Sequence, residues 1–313
     1  MKLGHEVTLF HRGETKADLP VSVEHVHGDF ASFDQFVPEL REREPDVVVD
    51  MWAVRQHDGR RVRSFKGIAE RGVVLSSVDV YRAFGRIHRS EPGEPDPLPL
   101  TELSALREKP VGSPWYDPLD YNKTGVELEA RADPDFPVTI LRLPATHGPG
   151  DIGHRLHPYL KRMADGRRAI LLDKDVARWR WARGYVEDVA HAVCLAVDDP
   201  CSAGRIYNVA DEIAYSEAEW VGLIGNAMGW SGEVVIASAD GLPEYLRSKI
   251  DTAQDYVVDS SRVRSELGYA EMADGAEALP RTIEWELANP PDPVDENVFD
   301  YAAEDVTLAH LGR

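Results

Sequence analysis

The chain has 313 residues, 43% of them hydrophobic, with 35 basic against 55 acidic side chains and a formal charge of −20. That apolar content supports a sizeable core and excludes a disordered chain, and the length suits one large domain or two modest ones. The charge repels nucleic-acid phosphates and anionic lipid, no apolar run reaches the roughly 18 residues that cross a bilayer, and the first residues lack the apolar stretch of a signal peptide.

In chain order, Leu3 and Gly4 read as the last turn of a helix and its glycine C-cap. His5 to Phe10 reads as a buried strand, with Val7 and Leu9 alternating with polar neighbours. VSVEHVHGD is a second strand ending at Asp29. Over residues 31 to 44, Phe33, Phe36, Val37 and Leu40 fall on one face of an amphipathic helix. PDVVVDMWA is an almost unbroken apolar strand, the kind buried on both faces. A polar helical stretch over about 56 to 70 leads to a similar strand, GVVLSSVDVY. Residues 89 to 102 are crowded with proline and must be irregular. A helix over about 119 to 132 and the strand PVTILRL follow.

From about residue 150 the pattern changes. Short strands (AILLD, RGYV, RIYNV, EVVIAS) are scattered among helices. One helix opens with a capping box, Ser216 to Glu219, and carries Trp220, Leu223 and Ile224 on one face. Residues 290 to 313 read as an acidic, loosely held tail. Cys194 and Cys201 stand in no metal spacing and suit a reducing cytoplasm.

Strands alternating with helices argue for an α/β fold, a doubly wound parallel sheet, followed by a smaller mixed lobe. The expected division is a dinucleotide-binding domain over 1–150, a substrate lobe over 151–289 interleaved with it, and the tail from 290. Ligands in such sheets sit at the carboxyl ends of strands. The residues there are Arg12, Asp29, Met51 to Val54, Ser76 to Tyr81 and Pro144 to Gly150.

Those segments resemble the extended short-chain dehydrogenase/reductase family, the NAD-dependent epimerase/dehydratase group acting mostly on nucleotide sugars. HEVTLFHRG resembles its second strand, HGDF the turn whose Asp approaches the adenine, and DVVVDMWA the fourth strand and its loop over the cofactor. LSSVDVY is similar to S-S-x-x-V-Y, which supplies a catalytic serine, here Ser77. ILRLPATHGPGD resembles R-x-x-x-x-Y-G-P-G beside the nicotinamide, with His147 in place of the Tyr. RGYVEDVAHAV, RIYNVAD and VDSSRVRSELGY are similar to segments of the substrate lobe. The resemblance implies a Rossmann-like sheet lacking its first strand. It places that strand, a glycine-rich pyrophosphate turn and a first helix ahead of HEV, so the start reads as miscalled or truncated.

The family's chemistry uses a Tyr, a Lys four residues later and a Ser. A free Tyr has a pKa of about 10, so roughly one in a thousand is ionised at pH 7, and a neighbouring ammonium stabilises the phenolate. Here Tyr121 is in place, but the fourth residue on is Gly125, and Lys123 stands two residues on. On an ideal helix that is the far side, so Lys123 serves only if the first turn is irregular. The plainer alternatives are a half-buried Tyr121 packing under the proline-rich loop and a solvated Lys123. Ser77 orients a substrate carbonyl or caps its own turn. Asp79, where family dehydratases carry an acid, is a substitute base or an ion-pair partner of Arg82.

Arg12 suits the 2′-phosphate of NADP, where NAD-preferring members carry an acid; otherwise it is a surface arginine. Asp29 reads as an adenine contact or as the N-cap of the next helix. The resemblance adds Trp52, Ala53, Pro144 and His147 to the cofactor side. RWRWARG offers Arg178 and Arg183 among tryptophans, a set that holds a phosphorylated substrate by ion pairing and stacking, or buries Trp and exposes Arg in alternation. His147, His154, Arg155 and His157 line a substrate cleft. No acidic partner or ligand spacing makes them a metal site.

The expected protein is an NAD(P)-dependent epimerase, dehydratase or reductase acting on a sugar nucleotide or similar polar small molecule, with NADP slightly favoured over NAD. The alternative is a non-catalytic dinucleotide-binding sensor of the same fold. Neither nucleic acid nor membrane is an expected partner, and the resemblance implies a homodimer.

Overall fold

The computed structural model describes residues 4–14, 19–111, 117, 120–272 and 275–313. The expected helix end at Leu3 lies outside them, and Gly4 adopts a φ of 89°. The strands are β1 Thr8–His11, β2 Glu24–His27, β3 Val47–Asp50, β4 Arg71–Ser77, β5 Val138–Leu143, β6 Ala145–His147, β7 Ala169–Asp173, β8 Arg183–Tyr185, β9 Ile206–Asn208 and β10 Glu233–Ala237. The helices are α1 Phe33–Arg41, α2 Arg82–Ile87, α3 Lys123–Ala130, α4 His157–Ala164, α5 Lys174–Arg178, α6 Val186–Asp198, α7 Glu217–Ala227, α8 Ser261–Leu267, α9 Gly275–Ala288 and α10 Tyr301–His310.

The centre is a parallel sheet in the order β3-β4-β5-β9. Its inner strands are buried on both faces, which is why they read as apolar runs. On one side Val126 and Ala130 of α3 pack against Val74, Val138 and Ile140. On the other, Val189, Ala192 and Ala196 of α6 cover Val73, Leu75 and Leu141. Helices on both faces make the sheet doubly wound. Smaller parallel pairs, β6 with β8 and β7 with β10, lie outside this sheet.

β1 and β2 form a separate parallel pair. Among the described residues no ladder joins β1 to β3, the place where the resemblance puts one more strand. β1 is therefore half-buried rather than buried, and so are the valines of β3. Phe10, not Val7 or Leu9, carries the core contact of β1. Its ring lies 5.1–5.3 Å from those of Phe30, Phe33 and Phe36. Side chains alternate along a strand, so Leu9 and His11 turn to the opposite face.

Two further expectations fail. Residues 56 to 70 form two short 3-10 turns, Gln56–Arg60 and Val62–Phe65, in place of a helix. Gly59 lets the first lie directly on α3, where a Cβ would stand 2.4 Å from the Val126 carbonyl oxygen. Asp58 fixes that turn by accepting from the amides of Val54 and Arg55 at 2.9 and 2.8 Å. The second failure is the acidic tail. Residues 301–310 form α10, and Glu304 is fully buried, accepting from Arg162 Nη2 at 2.7 Å. The Arg162 guanidinium in turn lies 4.8 Å from the Phe299 ring centre. Composition counted Glu304 as solvating, whereas ion pairing lets it enter the core. Among the described residues no helix is long and apolar enough to cross a membrane.

Candidate active site

β4 ends at Ser77, whose Oγ accepts from the Asp79 amide at 3.1 Å and caps the 3-10 turn Val78–Val80. That cap presents the Asp79 carboxylate to Tyr121, whose Oη donates to Asp79 Oδ2 at 2.8 Å. The Asp79–Arg82 ion pair does not form, because Arg82 is drawn to Asp96 through its Nε at 3.0 Å. Ser77 also reaches the Tyr121 hydroxyl. The serine, the acid and the tyrosine are thus one cluster.

Tyr121 stands before α3, and the helix N-cap is Asn122, with φ −132° and ψ 72°. The i, i+4 face therefore does not apply to it. Lys123 is the first residue of α3 and points inward, where its Nζ donates to the carbonyls of Ala53 at 2.6 Å and Leu75 at 3.1 Å. Lys123 is not the solvated surface residue of the plainer reading. Its ammonium lies at the carboxyl ends of β3 and β4. A Cβ on Gly125 would meet Asn122 Nδ2 at 2.7 Å and Gln56 Cβ at 2.8 Å. A lysine at the fourth position would have to displace Gln56.

Burial, reinforced by the negative charge of Asp79, holds the Tyr121 phenol well above its usual range. Burial also lowers Lys123, against the pull of Asp50, Asp79, Asp58 and Glu127. Arg107 opposes Asp79 at the phenol: its guanidinium lies 5.8 Å from the ring centre, and its Nε donates to the Asp79 carbonyl at 2.8 Å. A phenol that donates to a carboxylate can accept a proton as it passes its own on. The arrangement suits a two-step relay better than a free phenolate.

A second cluster lies after β5. His147, Arg155, Trp181, Arg183, Glu217 and Trp220 line a cavity of about 30 Å³, roughly the space of one water. Arg183 ion-pairs with Glu217, and its guanidinium sits 4.8 Å from the Trp220 ring centre. Arg155 pairs with Asp151 and donates to the Thr146 carbonyl at 3.1 Å. Pro144 is buried and lies so close to Gly184 that a Cβ there would stand 2.8 Å from its Cγ.

Burial, then the charges of Arg183 and Arg155, lower His147 from 6.5 to about 4. The unfolded chain takes up this proton first. Stability is full above pH 6.5 and falls as pH drops toward 4, by roughly 3 kcal/mol at about 1.36 kcal/mol per unit. We expect His147→Phe to flatten that acid limb in urea melts at successive pH values. An unchanged limb contradicts a neutral buried His147.

The remaining sequence candidates have other surroundings, Ala53 excepted. Arg12, 58% exposed at the end of β1, pairs with Glu14 at 3.0 Å. Asp29 is exposed and accepts from the Ala31 amide at 2.8 Å, the capping role. Trp52 is half-exposed and Ala53 buried beside Lys123. His154 Nδ1 meets Glu286 at 2.9 Å, and Arg178 is exposed, paired with Asp175 at 3.0 Å. The Trp/Arg alternation holds at Arg178 and buried Trp179 and breaks at buried Arg183.

Sequence reasoning missed Arg107 and Glu217. Arg107 follows the proline-rich excursion, which gives no pattern. It also passed over the pair beneath the site. Arg142, in an apolar strand, donates to Glu127 through Nε at 3.0 Å and Nη2 at 2.7 Å. A charge inside such a strand signals a buried partner. Ser76 Oγ donates to the same Glu127 at 2.7 Å.

Residues 124–210 match the model of the NAD dependent epimerase/dehydratase family. A dTDP-glucose 4,6-dehydratase of Streptomyces griseus is 31% identical over 150 residues, 47% of this chain and 42% of that protein. The matched stretch is thus less than half the length of that relative. The fold is similar to that of the epimerase Mth375 of Methanothermobacter thermautotrophicus, with TM-score 0.67 and 18% identity over 92% of this chain and 86% of that one. It is also similar to UDP-glucose 4-epimerase of Bifidobacterium longum in complex with NAD+ and UDP, with TM-score 0.64 and 18% identity over 92% of each chain. The two solved structures speak for the fold alone. Over residues 124–210 the chain thus resembles the NAD dependent epimerase/dehydratase family, and its doubly wound sheet is a fold it shares with the solved epimerases.

Proposed function

We propose that this chain carries the nicotinamide and sugar ends of an NAD(P)-dependent epimerase, dehydratase or reductase acting on a nucleotide sugar. The observation that supports this most is the Tyr121–Asp79 hydrogen bond of 2.8 Å beside the half-buried Lys123. The donor set fits a nicotinamide riboside: an ammonium, a serine hydroxyl and a phenol at the carboxyl ends of two central strands. When bound, a nicotinamide dinucleotide supplies the hydride acceptor or donor. Ser77 orients the reacting carbonyl or hydroxyl. Tyr121 Oη takes the proton leaving a substrate hydroxyl while its own proton passes to Asp79 Oδ2, and the reverse path returns it. Lys123 holds the ribose and offsets the negative charge on the relay.

Arg12 and Asp29 serve the adenosine half, and the Arg12 fork favours NADP. Trp52, Ala53, Pro144 and His147 border the cofactor. Arg155 and Arg183, beside Trp181 and Trp220, suit an anionic substrate with a stacking ring. The relatives named above act on dTDP- or UDP-glucose, which are such molecules.

A second reading is a dinucleotide-binding protein without turnover. It draws support from the raised Tyr121 and the glycine at the fourth position. The full chain, mixed with NADP or NAD and a panel of UDP- and dTDP-hexoses, separates the two by chromatography of the nucleotide sugars. Conversion is the expected result, with NADP bound more tightly than NAD. Dinucleotide binding without conversion selects the second reading, and no dinucleotide binding overturns both.

A further inference from the structure

β1 and β2 pair in parallel register, with His11 opposite His27. His25 lies two residues before His27, so all three imidazoles project from one face. Their ring nitrogens converge: one nitrogen from each lies within 4.8 Å of the others, and His11 Nε2 stands 2.7 Å from His25 Nδ1. The rings of His11 and His25 are 5.0 Å apart, and those of His11 and His27 4.8 Å. His25 and His27 are exposed and His11 half-buried, so an ion can reach the cluster.

We propose that His11, His25 and His27 form a site for a divalent transition ion, zinc or a first-row neighbour. It is independent of the dinucleotide reading. Three neutral imidazoles with no carboxylate oxygen select zinc, cobalt, nickel or copper over magnesium and calcium. A zinc–nitrogen bond of about 2.0–2.1 Å puts tetrahedral donors about 3.3 Å apart. That lies within the spread here, where one pair of nitrogens is 2.7 Å apart and no pair exceeds 4.8 Å. Side-chain rotation closes the triangle, and a water takes the fourth position.

Coordination has a visible consequence. The Gly13 amide now donates to His11 Nδ1 at 3.1 Å. Ligation through Nε2 places the ring proton on Nδ1, so Gly13 must release that nitrogen and the turn after β1 shifts.

The test titrates Zn2+ alone into the full chain against a chromophoric chelator. Cys194 and Cys201, both free and exposed, are first changed to serine to remove thiolate ligands. One Zn2+ per chain is expected, with Co2+ giving an all-nitrogen ligand-field spectrum. Outer-shell changes alone cost about 10–100-fold in metal affinity. Loss of a ligand in His25→Ala should therefore weaken binding by on the order of 100-fold or more. His25→Asn repeats the test on the same strand, with circular dichroism confirming the fold, and His154→Ala should bind as the parent does. Absence of Zn2+ binding by the parent, or equal affinity in the triple His11/His25/His27→Ala variant, overturns the proposal.

Discussion

Asp79→Asn is expected to lower nucleotide-sugar turnover by about 10²–10⁴-fold, the range of one general acid–base group, with little change in dinucleotide affinity. The amide keeps the shape of the carboxylate and loses its capacity to take the Tyr121 proton. Tyr121→Phe removes the other half of the same relay and should cost a similar factor. The two groups hand on one proton, so the double variant should be hardly worse than either single one. Steady-state kinetics on the four proteins reads this directly. Full activity in Asp79→Asn, or strictly multiplicative losses, contradicts a shared relay.

Glu127→Leu should destabilise the fold by about 3–5 kcal/mol, because it leaves the buried Arg142 guanidinium without its carboxylate. Arg142 is 2% exposed and Glu127 5%. Arg142 also donates to Tyr81 Oη at 3.0 Å, and Tyr81 donates to Asn208 at 2.6 Å. The pair thus joins α3, β5, the turn after β4 and β9 beneath the candidate site. Adding Arg142→Met should recover most of the loss, since an apolar pair of similar volume is often neutral in place of a buried ion pair. Urea unfolding of the single and double variants measures both. A single-variant loss under about 1 kcal/mol contradicts this reading.

Most of the central architecture was legible because its signals are periodic. The apolar runs of β4 and β5 and the capping box of α7 reflect burial and backbone chemistry that a sequence carries openly. The 3-10 turns over 56–65 were not legible, since they depend on Gly59 meeting the Val126 carbonyl, a contact far along the chain. Nor was α10, because its buried Glu304 needs Arg162, distant in sequence, to enter the core. Ser77, Asp79, Tyr121 and Lys123 were each named from local motifs. Their convergence was partly obscured, because helix geometry placed Lys123 on the wrong side. The N-cap at Asn122 settles that point, and an N-cap one residue after a tyrosine is a signal the sequence did contain. The histidine face of β1 and β2 was visible only once the register paired His11 with His27.

The most direct test of the account is a crystal structure of the full chain grown with NADP or NAD. The nicotinamide ribose is expected within hydrogen-bonding distance of Tyr121 Oη and Lys123 Nζ, at the carboxyl ends of β3 and β4. A dinucleotide bound elsewhere, with Tyr121 and Asp79 untouched and still bonded to each other, would contradict it.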